Sequence, residues 1–531
     1  MRAPRLRSVL AGATALFCAP AFAHAGGLVV PGSGPVSTGR AGAAVASIDD
    51  PAAIGINPAG LAKTKGTVVH VGSALINYSQ TVTRTGVYEA DNDQPAALPW
   101  EGQPYGAVSD SSKPAIGLGP FQAVPVIAVS SDLGGKVKGL TVAAGVFAPN
   151  AYPVRNMDGD YVLEDPNRPP PPTRYDTMEQ KAAVVLPSIA AAYRISDKLD
   201  VGGRFSWGFA DVEARTYVWG LLNYSEWAGK DGEFRVKVKD NFIPAFGLGA
   251  TFRPSDSIEV GAAWQSIVNV AAKGTGGSTT GSGTGIGGNP VTVIPVDGLA
   301  DNLCEAGGTA DALKACVNLS LPMMATLGGR YIMRGDDGRQ KADVELNVQW
   351  ENWSGSSDYQ VIVDGFAAVD VQTGAGLRLN PTFIRHNLKD TFSVRLGGSY
   401  SLPVGKNELT LRTGIAHDTA AAKEGWQRAD FDGAARWTAA LGASFAFGSW
   451  RVDAGGGIVY EGSRSQGQAC NPATTSEGCG PNGERLGIDE RVGPDPSQPT
   501  SDAGGQVESP YTHGTIESGY VMLLLGVTKH F

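Results

Sequence analysis

The final stretch of the chain is an amphipathic strand that stops on an aromatic residue. Along Gly519–Phe531 an apolar side chain recurs at every second position, and the one charged exception is Lys529. That apolar row consists of Val521, Leu523, Leu525, Val527 and Phe531. A closing strand of this kind is typical of bacterial outer-membrane β-barrels. The pattern therefore predicts lipid outside a wall and a polar or ligand-lined lumen inside it.

The N-terminus favours the same compartment. Three arginines precede a short apolar core, and A-x-A sequences permit cleavage after Ala23 or Ala25. The apolar core is too short to cross a bilayer as a helix. We expect residues 1–25 to be a signal peptide, residues 26–65 a separate N-terminal segment and residues 66–531 the barrel.

Bulk composition is compatible with a barrel. The mean hydropathy of −0.09 would suit a soluble protein, yet barrels escape hydropathy scans because only alternate residues contact lipid. Glycine supplies 72 of 531 residues, roughly double the usual ~7%, which suits strands that bend and leave space in a lumen. The net charge is −9 without a cluster of Lys and Arg, so nucleic acid is not an expected partner.

Alternating segments occur in pairs along the chain, joined by connections that are long and short in turn. In the clearest, Lys341–Glu351, apolar side chains face one way and acids and amides the other. About fourteen such strands can be counted, an even number as a closed antiparallel barrel requires. The sequence thus predicts an all-β transmembrane barrel of the bacterial outer membrane. We expect a monomer in contact with outer-membrane lipids, inserted by the barrel assembly machinery.

Four cysteines remain beyond the signal peptide: Cys304, Cys316, Cys470 and Cys479. Three pairings are possible, and the two local ones close the smallest loops. An exported protein meets oxidising surroundings, which favours disulfides in exterior loops over free thiols. Since no C-x-x-C occurs, we expect no metal site, and no cofactor is indicated.

One predicted exterior loop, Trp219–Gly229, is unusually apolar. Its large apolar side chains are Trp219, Leu221, Leu222, Tyr224 and Trp227. Exposing them to water is costly unless they pack together or bind something. The loop is therefore either a landing site for an apolar ligand or a packed plug or strand extension.

The N-terminal segment 26–65 shows no lasting strand alternation. It is rich in small apolar residues, carries little net charge, and contains Asp-Pro and Asn-Pro steps that start or stop turns. A compact segment of this kind could fill a lumen as a plug. The alternative is a periplasmic tail, which would be more polar.

An ordered set of short segments resembles the FadL/TodX-type outer-membrane transporters of long-chain fatty acids and other hydrophobic compounds. In the N-terminal segment these are Gly39–Ala46, Asp49–Ala53 and Asn57-Pro58-Ala59, the last similar to the family's NPA element. Further along they are Leu186–Ala190, Tyr193–Leu199, Asp343–Glu345, Trp353-Ser354, Asn387–Asp390 and Arg395–Gly397.

The resemblance implies a fourteen-stranded barrel plugged by an N-terminal hatch that includes Asn57, Pro58 and Ala59. Ligand would be captured at exterior loops, of which the third corresponds to the aromatic loop, and passed to an inner pocket. Hatch movement and a kink in the third strand would open a lateral exit. In this chain Gly145 and Pro149 could provide that kink.

Arginines on predicted lumen faces are candidates for binding the head group of a carboxylate ligand. They are Arg395, Arg412, Arg204 and Arg451. The competing interpretation is that these charges pair with Asp343, Glu345 or Asp453 and merely fill the wall.

Two other functions compete with hydrophobic transport. A nonselective diffusion porin would need an open, polar lumen, which the apolar N-terminal segment argues against. A hydrolase would need a catalytic constellation, and none of the six histidines lies in a recognisable motif. We therefore expect no enzymatic activity and a hydrophobic ligand, either a fatty acid or an aromatic hydrocarbon.

Overall fold

The wall of the molecule is a closed ring of antiparallel strands. The computed structural model describes residues 34–84, 86–88, 98–114, 117–148, 154–158, 160–161, 167–218, 232–280, 292–295, 304, 313–356, 358–364, 366–369, 376–378, 382–423, 426–466 and 514–531. Fourteen wall strands pass around the ring in chain order, which confirms the strand number expected from alternation.

Twelve wall strands are continuous and two are interrupted. The first six are β1 (Thr67–Arg84), β2 (Phe121–Ser131), β3 (Leu140–Phe147), β4 (Glu179–Ser196), β5 (Leu199–Val218) and β6 (Gly232–Ser255). The interrupted strands are β7 (Ile258–Gln265 and Val268–Thr280) and β8 (Leu313–Leu321 and Met324–Arg334). The rest are β9 (Gln340–Glu351), β10 (Thr391–Val404), β11 (Asn407–Asp418), β12 (Arg436–Phe447), β13 (Trp450–Gln466) and β14 (Gly514–His530).

Each wall strand pairs with its neighbours in sequence, and the last strand closes the ring on the first. β14 pairs with β1 from Val68↔His530 to Arg84↔Gly514. The Phe531 N–H also donates to the Thr67 carbonyl at 2.9 Å. The first and last strands thus pair with each other instead of ending as free edges, which is what the hydrocarbon environment demands.

Short elements lie inside the wall, extend it by pairing with its strands, or form a separate three-stranded sheet. The helices are α1 (Pro35–Thr38) and α2 (Ala53–Ile56), with 3₁₀ turns at Pro58–Lys63, Leu133–Gly135 and Trp353–Ser356. Short strands occur at Ala107–Ser109, Gly117–Leu118, Arg155–Asn156, Thr292–Pro295, Asp358–Asp364, Phe366–Val369, Gly376–Arg378 and Thr382–Arg385. Among the described residues, no helix has the length and apolar character needed to cross a membrane.

The outer face of the wall is apolar and the inner face carries the polar side chains. On β9, Val344, Leu346 and Val348 are 45%, 50% and 46% exposed, whereas Asp343 and Glu345 are buried. This is the segregation that the alternating sequence predicts. The closing strand behaves in the same way, because its predicted apolar row faces outward while the residues between face inward.

Candidate ligand pathway: a plugged lumen

Residues 34–65, which we call the plug, lie inside the ring. Hydrogen bonds or ion pairs join the plug to β2, β4, β5, β6, β7, β9, β10 and β13. Close packing adds contacts with β1, β3, β8, β11, β12 and β14. Only a segment in the lumen can contact all fourteen strands.

Inward-facing glycines allow the plug backbone to approach the wall. A Cβ on Gly202 of β5 would lie 2.5 Å from the Pro58 carbonyl carbon, and one on Gly261 of β7 would lie 2.5 Å from the Val45 oxygen. Real side chains are not found at such distances, so these positions require glycine. Close contact with the plug thus accounts for part of the high glycine content.

Arg40 anchors the plug to β9. Its guanidinium group donates to both carboxylate oxygens of Asp343, at 3.1 and 2.8 Å. Glu345, two residues along the same strand, accepts the backbone N–H groups of Ala46 at 2.8 Å and Ser47 at 3.1 Å. The inward acids of β9 are therefore used to hold the plug. Arg40 was not singled out from the sequence, although its being the one charged residue in 34–48 was a signal.

Asn57 of the predicted NPA element joins two parts of the plug. Its side-chain oxygen accepts the Ala59 N–H at 3.1 Å and so caps the 3₁₀ turn that Pro58 begins. Its amide nitrogen donates to the Val45 carbonyl at 2.7 Å and to the Ala250 carbonyl of β6 at 3.2 Å. Asn57, Pro58 and Ala59 are fully buried or nearly so. The element thus fixes the plug's own shape against the wall.

Two of the four predicted head-group arginines are paired with acids. Arg395 contacts Asp418 at 3.0 Å, and Arg451 contacts Asp50 of the plug at 2.6 Å and Asp453 at 3.1 Å. These pairs match the competing interpretation, in which lumen charges fill the wall. Asp343 and Glu345, however, bind Arg40 and not the predicted arginines.

The other two predicted arginines have different surroundings. Arg412 donates to the Ser444 hydroxyl. Arg204 donates to the Ile54 carbonyl of α2 at 2.7 Å and to the Gln265 side chain at 3.0 Å. The described residues supply Arg204 with no carboxylate. A buried cation without a counter-ion is costly and therefore unusual.

Arg155 is a second buried arginine without an ion pair among the described residues, and it was not singled out from the sequence. It is 0% exposed, and its guanidinium group lies 3.8 Å from the centre of the Tyr78 ring. None of its three guanidinium nitrogens has a hydrogen-bond partner among the described residues. Nothing in the local sequence distinguished this arginine, because its position against β1 depends on the folded barrel.

The acids nearest to Arg155 are already engaged by other groups. Asp432 accepts Arg464 at 2.8 Å, Tyr78 at 3.2 Å and Ser518 at 2.9 Å. Burial alone would raise the pKa of Asp432, but the nearby Arg464 and Arg155 guanidinium groups lower it. Asp432 is therefore held as a carboxylate, while the nearby Arg155 guanidinium group makes no hydrogen bond to the described residues.

The inner wall has an apolar side and a charged side. Buried apolar residues line the inner face of β4–β8, one on each strand being Val184, Val212, Val238, Val270 and Val317. Charged and hydroxyl groups line the inner face of β11–β14, including Asp418, Arg436, Glu461, Arg464 and Tyr520. Such a lumen is suited to an amphipathic molecule.

The third wall strand is shorter than expected. β3 ends at Phe147, and Ala148 belongs to no strand. Gly145 is regularly paired with Ala128 of β2 and Ser188 of β4. Pro149 lies outside the described residues, so a kink at Gly145 and Pro149 stays a prediction.

Several predicted residues lie outside the described part of the chain. They are the five aromatic-loop residues, Trp219, Leu221, Leu222, Tyr224 and Trp227, and the cysteines Cys470 and Cys479. Cys304 and Cys316 are joined by a disulfide with their Cα atoms 5.8 Å apart. Within the described residues, no group of His, Cys, Asp or Glu side chains is placed to hold a metal ion.

A fourteen-stranded barrel filled by its own N-terminal segment defines a class, the plugged outer-membrane channels. The family model for outer membrane transport proteins of the OMPP1/FadL/TodX type matches residues 16–466. The chain belongs to this family, whose members are outer-membrane transporters of hydrophobic compounds. A search of curated protein sequences finds no match.

Solved structures share the fold at low sequence identity. A FadL homologue from Pseudomonas aeruginosa is 14% identical, with a TM-score of 0.65 over 95% of this chain and 100% of that one. The toluene transporter TodX of P. putida is 13% identical, with a TM-score of 0.57 over 94% and 99% of the two chains. The Ralstonia pickettii toluene transporter TbuX is 16% identical, with a TM-score of 0.54 over the same shares.

Proposed function

We propose that this protein takes up amphipathic hydrophobic molecules that carry an anionic head, of which long-chain fatty acids are the simplest. Ligand is captured at the exterior loops and enters the lumen. It leaves sideways through the wall near the end of β3 after the plug shifts. The observation that carries the proposal is the buried Arg155, whose guanidinium group makes no hydrogen bond to the described residues, in a lumen that is otherwise half apolar.

The apolar part of the ligand supplies most of the binding free energy. Each CH₂ moved out of water contributes about 0.8 kcal/mol. The buried apolar residues on β4–β8 offer the matching surface. The aromatic loop, Trp219–Gly229, is the proposed site of first capture because it concentrates apolar side chains in a predicted exterior loop.

The two buried arginines favour an anionic head over a neutral hydrocarbon. A guanidinium group binds a carboxylate in bidentate geometry with charge-assisted hydrogen bonds. Among the described residues, the Arg155 guanidinium group has no hydrogen-bond partner and Arg204 has no acidic partner. TodX and TbuX are described as toluene transporters, and toluene carries no charge that such arginines could recognise.

A nonselective porin is the weaker alternative. Free diffusion of polar solutes needs an open, water-filled channel. The plug is anchored by Arg40 and Asn57 and contacts the inner face of every wall strand. A lateral exit also suits an apolar ligand, since it avoids release into the aqueous periplasm.

The test compares a free acid with its methyl ester in cells that lack their own fatty-acid transporter. Cells that produce this protein should take up labelled oleate several-fold faster than cells that do not. The protein should increase the uptake rate of methyl oleate by a smaller factor. Equal gains for oleate, its ester and toluene would contradict an anionic-head preference. Rapid swelling of protein-containing liposomes in sugar solutions would contradict the plugged lumen. Mass spectrometry of co-purified lipids would identify the native ligand.

A further inference from the structure

Pro125 lies on β2 at the point where the pairing between β2 and β3 stops. The last pair between the two strands is Val126↔Phe147. The same register, continued by one residue, would place Pro125 opposite Ala148, which belongs to no strand. On its other side, β2 remains paired with β1 for several more residues.

The missing N–H of Pro125 is on the β3 side. Asp132 directly follows β2, and Gly66 directly precedes β1. The Asp132 N–H donates to the Gly66 carbonyl at 3.2 Å, so it points to β1. Alternate residues of an antiparallel strand point their N–H groups to opposite neighbours. The N–H groups of even-numbered β2 residues therefore point to β1, and those of odd-numbered residues point to β3. The Arg194 N–H, which donates to the Gly139 carbonyl at 2.8 Å, gives the same assignment from the β4 side.

Pro125 removes one hydrogen bond from a pair between positions 125 and 148, and it leaves the pairing of β2 with β1 intact. Pro125 cannot donate to the Ala148 carbonyl. Prolines within sheets are confined to positions whose N–H side is unpaired. Among the described residues, positions 123–125 of β2 therefore have no strand partner on the β3 side, between Val126, which pairs with Phe147, and Gln122, which pairs with Gly117.

The end of β3 also contacts the plug. Phe147, the last paired residue, is 1% exposed, and the Arg204 guanidinium group lies 4.6 Å from its ring centre. The same guanidinium donates to the Ile54 carbonyl of α2 at 2.7 Å. The position at which β3 separates from β2 is therefore fixed against the segment that fills the lumen.

We propose that Pro125 is a positioning residue that sets where β3 separates from β2 and so keeps the wall open for lateral exit. This inference rests on the proposed transport function. Replacing Pro125 by a residue with an N–H would let the β2–β3 ladder continue past Phe147 and narrow the exit.

The test is Pro125→Ala, with Pro187→Ala as the matched control. Both prolines are partly exposed on the lipid-facing side of the wall. Pro187 lies opposite Val146 of β3. Since the Arg194 N–H points to β3, odd-numbered residues of β4 point their N–H groups to β5. Alanine at position 187 therefore leaves the β2–β3 ladder unchanged. Both variants should insert as heat-modifiable barrels.

In Pro125→Ala, the amide of Ala148 should exchange with deuterium about tenfold more slowly, the effect of one added hydrogen-bonded pair. Oleate uptake should fall several-fold while oleate binding to the purified protein is unchanged. Pro187→Ala should match the unaltered protein in both measurements. Unchanged Ala148 exchange, or unchanged uptake with Ala148 protected, would overturn the proposal. If the unaltered protein itself fails to take up oleate, the transport function fails, whereas the exchange result still tests the ladder end.

Discussion

Arg40 of the plug and Asp343 of β9 form a bidentate ion pair, 2.8 and 3.1 Å long, between residues 303 positions apart in the chain. Asp343 also accepts Arg330 of β8 at 2.8 Å. One carboxylate thus joins the plug to two wall strands. All three side chains are buried. Loss of the Asp343 carboxylate would leave Arg40 with Glu345 at 3.4 Å and Arg330 with Glu259 at 2.7 Å as their remaining acids.

We expect Asp343→Asn to loosen the plug while the barrel persists. Removing one member of a buried ion pair costs about 3–5 kcal/mol, and here the cost falls on the contact between plug and wall. Planar-bilayer recordings should show more frequent and larger openings. The control is Asp337→Asn, whose partner Arg339 lies in an exposed turn. Identical conductance in the two variants would show that the ion pair does not hold the plug.

Adjacent glycines on β5 test the close approach between wall and plug. A Cβ on Gly202 would lie 2.5 Å from Pro58, whereas one on Gly203 would meet nothing closer than the Leu248 side chain at 3.8 Å. Gly202→Ala should destabilise the plugged state by about 1–3 kcal/mol, as overpacking does. Gly203→Ala should be nearly neutral. Protease sensitivity of the plug in detergent would distinguish them, and equal sensitivity would count against the packing argument.

Replacing Asn57 and Pro58 by alanine should impair uptake without preventing barrel assembly. The double change removes the cap of the 3₁₀ turn, worth about 0.5–2 kcal/mol, and the bonds to Val45 and Ala250. Oleate uptake in cells measures the effect, and heat-modifiable migration on gels reports assembly. Unchanged uptake would mean that this element only fills space.

Arg155→Met should change ligand affinity and barrel stability in opposite directions. Affinity for oleate should fall about tenfold or more, as expected when a hydrogen bond to a charged group is lost, with little change for methyl oleate. Stability should hold or rise, because a buried charge without an ion pair among the described residues is removed. Arg339→Met, in an exposed turn, is the control. An equal loss for acid and ester would argue that Arg155 only packs against Tyr78.

The sequence alone determined the wall. Strand identity, the outward apolar row and the even strand number follow from alternation at period two, which is a local property of the chain and of the lipid it faces. Asn57-Pro58-Ala59 could be singled out because these three consecutive residues resemble the family's NPA element, whereas its capping role appears only in the structure.

Only the tertiary structure decided how the lumen is used. Arg395 and Arg204 look alike in sequence, yet Arg395 meets Asp418 and Arg204 meets a carbonyl and an amide. Arg155 had no sequence signal, and Pro125 acquires its role from a neighbour that stops beside it. Alternation fixes which way a side chain points. Its partner across the lumen depends on ring closure and on the plug, which bring residues hundreds of positions apart into contact.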